Sequence, residues 1–248
     1  MFWRMSLDQK FDVVLWGATG AVGRRVAHHF ASRNEACGLR WAIGGRDDEK
    51  LKAVRANLPS SAQNVPIIIG DNYDRASLNA LVAQTKVVCS TVGPFAKFGS
   101  ELVAACVHSS THYCDLSGEA HWMRRMIDAH QGEAENSGSR IVHACGFDSV
   151  PSDLSVYLLQ TKALQKNGKP CSQIKMRVTA MRGGFSGGTA ASLVYATEEG
   201  RCDPSISRFM MEPYALNAEG EREGPDQPEK MMPFKVRFDE DLKGWTMP

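Results

Sequence analysis

Long apolar runs are missing from this chain. No purely aliphatic stretch exceeds a few residues, Ile67–Ile69 being typical. A membrane-spanning helix needs about 20 consecutive apolar residues, so no transmembrane segment is expected. An excess of one charge is missing too: 29 Lys and Arg face 28 Asp and Glu, a net charge of +1. That balance excludes an overall basic footprint for nucleic acid, and no nucleic-acid partner is expected. The seven cysteines are odd in number and none is spaced C-x-x-C. This argues against a disulfide framework and against a zinc site, so no metal is expected. Cys89, Cys106 and Cys145 lie in apolar runs, as small hydrophobes do in a reducing, intracellular setting. The start, MFWRMSLDQK, lacks the apolar core of a signal peptide and carries Asp8.

What is present is an ordinary globular composition, 43% apolar and 23% charged. Short apolar runs alternate with helix-length segments: 11–16, 39–43, 66–69, 86–91, 112–116 and 140–145. Runs of this kind suit strands buried on both faces. Between them, Val22, Val26 and Phe30 share one helical face, as do Leu102, Val103, Cys106 and Val107. Six strands with intervening helices predict an α/β fold, a Rossmann-type doubly wound parallel sheet. After residue 150 the pattern changes. A helix opens at Pro151 and stops at Asn167-Gly168. Residues 174–181 alternate strictly, which predicts a half-solvated strand of an antiparallel sheet. A helix over 189–199 and a strand over 234–238 follow. The expected division is a nucleotide-binding domain over 1–168 and an incomplete α+β domain over 169–248. A half-built sheet at the end suggests that the natural protein continues.

The first strand runs into Gly17-Ala18-Thr19-Gly20-Ala21-Val22-Gly23, a G-x-x-G-x-x-G form of the dinucleotide fingerprint. One glycine permits the tight turn, the next lets backbone approach a diphosphate, and the third lets helix and strand pack closely. Free N–H groups and the helix dipole then hold the anion. The second strand ends Gly44-Gly45-Arg46-Asp47. An acid there would grip a ribose diol, whereas the planar guanidinium of Arg46 suits a 2′-phosphate. NADP is therefore expected over NAD, with Asp47 pointing elsewhere. Thr91, Val92 and Gly93, at the end of the fourth strand, should border the same nucleotide.

GATGAVG, GGR, TVGPFAKFG, THYCDLSGE and IVHACGFDSVPSDL occur in that order. Together they resemble the saccharopine dehydrogenase-like oxidoreductases, which include the trans-acting enoyl reductases. The resemblance covers roughly residues 11–200, and family members run considerably longer. It implies hydride transfer between a nicotinamide cofactor and a C=C or C=N bond of a small or lipid-linked substrate. It also implies that Gly17, Thr19, Gly20, Ala21, Val22 and Arg46 hold the nucleotide. Some eukaryotic relatives associate with mitochondria or lipid droplets.

The candidates for moving a proton are Asp115, after the fifth strand, and Asp148, after the sixth. A carboxylate beside an apolar site can have a raised pKa and serve as acid. Ser117, Glu119 and Ser149 share those turns, where serines also cap helices. His108 and His112 are spaced i, i+4, but a helix end between them argues against metal. His143 reads as a core residue inside a strand. The run 183–188 reads as a mobile loop, an anion nest or a plain turn. The rival to an oxidoreductase is a non-catalytic nucleotide-binding or lipid-associated interaction protein. A homo-oligomer is compatible with either.

Overall fold

A computed structural model describes residues 9–246, apart from 181, 183, 185, 211, 213 and 219–235. Six parallel strands form one sheet: β1 (Phe11–Trp16), β2 (Trp41–Gly45), β3 (Ile67–Ile69), β4 (Thr85–Ser90), β5 (His112–Asp115) and β6 (Ile141–Val142). Their order is β3-β2-β1-β4-β5-β6. The chain reverses direction across the sheet between β1 and β4, and a crevice opens there beyond the strands' carboxyl ends.

Strand alternation builds two cores. Val14, Trp16, Val88 and Tyr113 face one side, against α3 (Arg75–Val82), α5 (Ser100–His108) and α6 (Ala120–Ser137). Leu15 and Ile43 face the other side, against α1 (Ala21–Cys37) and α2 (Asp48–Ala56). At the amino ends, the Asp12 carboxylate accepts Arg40 N–H groups at 3.0 Å and lies 2.8 Å from Lys86 Nζ. These cations hold the Asp12 carboxyl well below the usual carboxylate range. One side chain thereby ties β1 to the start of β2 and to β4.

β6 is shorter than the apolar run over 140–145 suggests. After Val142 the chain turns away: Ala144 has φ +57°, and His143 is drawn onto Asp115. His143 therefore lies beyond the strand. The helix expected from Pro151 is α7 (Val150–Asn167), which ends on left-handed Gly168. Of the alternating segment 174–181, residue 181 lies outside the described residues, and 174–180 form no strand and carry no regular structure. Lys175 and Arg177 instead pair with Asp241 and Asp239 of a two-stranded antiparallel hairpin, β7 (Arg237–Asp239) and β8 (Gly244–Thr246). The segment is attached by its charged face and has no ladder. Of the strand expected over 234–238, 234 and 235 lie outside the described residues. The helix expected at 189–199 is the longer α8 (Gly187–Cys202), followed by α9 (Pro204–Met210). Neither α7 nor α8 has a buried side chain.

Candidate functional site

A cleft of about 280 Å³ opens at the carboxyl edge of the sheet. Its floor is the turn from β1 into α1. Gly17 takes φ +89°, and a Cβ there would lie 2.5 Å from Val92 Cγ2. Only glycine accepts both the conformation and the closeness of β4. A Cβ at Gly23 would collide with the Gly17 carbonyl oxygen, so the third glycine lets α1 begin directly on the loop. The loop is pinned from below. Gly17 N–H donates to Gly44 O at 2.9 Å, and the Thr91 hydroxyl lies 3.1 Å from Gly17 O. The first N–H groups of a helix have no partner within it. Here the Gly20 N–H closes the turn on Gly17 O at 3.1 Å, and the open N–H groups begin at Ala21, exposed in the cleft.

Gly17, Thr19, Gly20, Ala21, Val22, Gly45, Arg46, Thr91, Val92 and Gly93 all border this one cleft. Ala18 does not: it is fully buried between the loop and the second core. Arg46 is exposed, and its guanidinium makes no hydrogen bond among the described residues. Asp47 turns away and caps α2, accepting Lys50 N–H at 3.0 Å. An open row of N–H groups beside an unbonded guanidinium fits a diphosphate and a further phosphate.

The cleft also has walls that the sequence reading overlooked. Trp16 ends β1, and its ring lies where a Cβ on Gly44 would come within 2.7 Å of it. Its indole N–H donates to Asn72 Oδ1 at 2.8 Å, which draws the loop after β3 over the cleft. Tyr73 of that loop meets Phe98 edge-on, with centroids 5.9 Å apart. Asp-Asn-Tyr following a third strand was the available signal, since every strand end of this sheet faces the crevice. From the glycine-rich run, Ser186 and Gly188 complete the wall. Glu199 secures the far end of α8, 2.9 Å from His121 Nε2 and 3.2 Å from Arg125 on α6.

A buried carboxylate sets the Gly93 turn. Both Glu119 oxygens accept backbone N–H groups, from Phe95 and from Ala96, each at 2.8 Å. They cap α4 (Phe95–Phe98), the helical turn just beyond Gly93-Pro94.

Asp115 and Asp148 do not line the cleft. Asp115 is buried, and its carboxylate accepts N–H from Ser117 at 3.0 Å and from Ala144 at 3.1 Å. It also lies 2.7 Å from His143 Nδ1, while His143 Nε2 has no hydrogen-bond partner among the described residues. Burial, with the Asp115 charge nearby, pushes the Tyr113 phenol well above its ordinary value. Asp148 is exposed in the turn before α7 and makes no hydrogen bond among the described residues. His108 and His112 have separate partners, Glu133 at 2.6 Å and the Arg140 N–H at 3.0 Å. No helix among the described residues is long and apolar enough to cross a membrane.

Comparison with known proteins agrees with this geometry. A putative trans-acting enoyl reductase of Mycobacterium tuberculosis is 40% identical over 97% of this chain and 58% of its own length. A trans-acting enoyl reductase of Mycobacterium leprae is 40% identical over 90% of this chain and 53% of its own. The chain thus spans a little over half the length of these relatives. Among solved structures, apo saccharopine dehydrogenase (L-Glu forming) from Saccharomyces cerevisiae aligns with a TM-score of 0.50. It is 19% identical, over 64% of this chain and 32% of that one, and shares the fold. Residues 13–142, more than half of the chain, match the saccharopine dehydrogenase NADP-binding domain. The chain belongs to that family, an oxidoreductase family, and its nucleotide is NADP.

Proposed function

We propose that this chain forms the nucleotide-binding part of a reductase that uses NADPH to saturate a C=C or C=N bond of a small or lipid-linked substrate. The observation that carries this reading is the 40% identity, over nearly the whole chain, to a protein named a trans-acting enoyl reductase. The division at residue 168 into a nucleotide domain and a substrate-bearing remainder belongs to the same reading.

When bound, NADPH supplies the hydride. The chain's own residues do the rest. The N–H groups of Thr19, Ala21 and Val22 hold the diphosphate, which Gly20 lets approach, and Arg46 holds the 2′-phosphate. Thr91, Val92 and Gly93 border the reactive ring. Glu119 positions that turn through Phe95 and Ala96. Asp115 has its carboxylate occupied and positions the loop carrying His143. The proton is assigned to Asp148, which stands exposed beyond β6 and outside the cleft and would have to act as the carboxylic acid once substrate covers it.

The test is NADPH consumption by the full chain with a short 2-enoyl thioester and, separately, with an imine. Loss of the nicotinamide absorbance with either supports the reading, and Asp148→Asn then abolishes turnover while NADPH affinity persists. Absence of consumption with both, alongside intact NADPH binding, favours a second reading: a non-catalytic nucleotide-binding protein that docks on lipid. The exposed Leu154, Tyr157, Leu158 and Leu164 of α7 support that alternative, and vesicle sedimentation would then recover the chain.

A further inference from the structure

The cleft that holds the nucleotide does not end at Arg46. A second groove between α1 and α2 shares Thr19 and Gly20 with it, and is lined further by Arg24, His28, Lys50 and Asn57. Its charged lining, Arg24 and Lys50, is cationic.

Arg46 carries one positive charge, whereas a 2′-phosphate carries nearly two negative ones at neutral pH. Next to Arg46 stands Asp47, which would repel that phosphate. Asp47 is kept occupied on two sides: Oδ1 accepts the Lys50 backbone N–H at 3.0 Å, and Oδ2 lies 2.9 Å from Lys50 Nζ. The lysine ammonium, then its backbone N–H, holds the Asp47 carboxyl below the usual carboxylate range, so the acid stays ionised and needs this neutralising partner. Lys50 Nζ has three donors, and its largely exposed side chain lines the same groove as Gly20. It can serve Asp47 and a ligand oxygen together.

We infer that Lys50 is a specificity-determining residue: it cancels the charge of Asp47 and, with Arg46, forms a two-cation seat for the 2′-phosphate where cleft and groove meet at Thr19–Gly20. The arrangement selects NADPH over NADH by two effects of the same side chain. With the Lys50 side chain absent, Asp47 still caps α2 through the backbone N–H of residue 50, but its charge next to Arg46 is no longer cancelled. That penalises the doubly charged 2′-phosphate and leaves the uncharged 2′-hydroxyl of NADH nearly unaffected.

The inference rests on the family's NADP site and is tested by calorimetric titration of the full chain with NADPH and with NADH. Wild type and Lys50→Ala are compared, with Lys52→Ala as control. Lys52 lies two residues along the same helix and pairs with Asp48 and Glu49 instead. Lys50→Ala should weaken NADPH about tenfold, the scale of one charge-assisted bond to phosphate, and change NADH by less than about twofold. It should also flatten the salt dependence of NADPH binding. Lys52→Ala should change neither affinity by more than about twofold. Lys50→Gln, which keeps a donor and helix propensity, serves if the alanine variant melts early. Equal losses for both coenzymes, or no loss of NADPH affinity, overturn the inference alone. A wild-type chain that takes up neither coenzyme overturns the nucleotide site and this inference with it.

Discussion

The two parts of the chain treat their apolar residues in opposite ways. Through residue 145 the strands and helices enclose two cores, and Trp16, Trp122 and Tyr113 are each at most 1% exposed. Beyond it, α7 and α8 bury no side chain, with Tyr157 70% and Leu193 68% exposed. The apolar content of α7 is not poorer than that of α6, which buries Trp122 and Met123. What differs is the partner: each early helix returns to a sheet beside it, whereas α7 leaves β6 and meets no such surface among the described residues. The nucleotide site belongs to the first part. The second part reaches the cleft through Ser186 and Gly188, and is tied to α6 by Glu199 and by the Asn217 carbonyl, which accepts from Arg124.

The largest test of this contrast is a pair of truncations. Trp122→Ala should cost about 3–5 kcal/mol in thermal or urea unfolding, because a fully enclosed ring is lost. Leu158→Ala on α7 should stay within about 0.5 kcal/mol. A comparable loss at Leu158 would mean that α7 is packed in solution. Glu119→Ala should cost about 2–3 kcal/mol, since two buried N–H groups lose a charged acceptor. It should also weaken NADPH by loosening the Gly93 turn. Normal NADPH affinity in a destabilised protein would confine Glu119 to folding. Arg46→Ala should lower NADPH affinity about tenfold and leave NADH within about twofold, by the same titration.

The smallest effect is at Asp12, far from the cleft. Its folded-state pKa is depressed by Arg40, then Lys86. Such a group stabilises the fold fully above the unfolded carboxylate value near ~4, and that contribution disappears as pH falls toward the folded value. Asp12→Asn should therefore lose up to about 1 kcal/mol at neutral pH. The gap from wild type should close below about pH 4. A gap unchanged across that range would show that the Asp12 charge contributes nothing.

Much of the first part is legible because its signals are local. Glycine spacing after β1, apolar runs bounded by turns, and Gly168 as a helix stop each report a backbone requirement within a few residues. Arg46 could be read for the same reason: its place after β2 puts it at the crevice. Three features needed contacts distant in sequence. The Trp16–Asn72 bond spans 56 residues and folds the β3 loop over the cleft. Glu119 caps a helix that lies before it in sequence. Asp115 collects donors from both its own loop and the one after β6, which cuts β6 to Ile141–Val142 and turns Ala144 left-handed. The segment 174–181 failed for the converse reason. Alternation shows which side chains could line a strand, but a strand also needs a neighbouring backbone to pair with.

The most direct measurement is calorimetric titration of the full chain with NADPH, repeated on Gly20→Val. A Cβ at Gly20 meets nothing closer than the Gly17 carbonyl at 3.4 Å, so this variant should fold. Its side chain would stand where the diphosphate approaches the start of α1. One saturable site in wild type, with affinity reduced at least about a hundredfold in the folded variant, is the expected result. Undiminished NADPH binding by folded Gly20→Val would contradict the account.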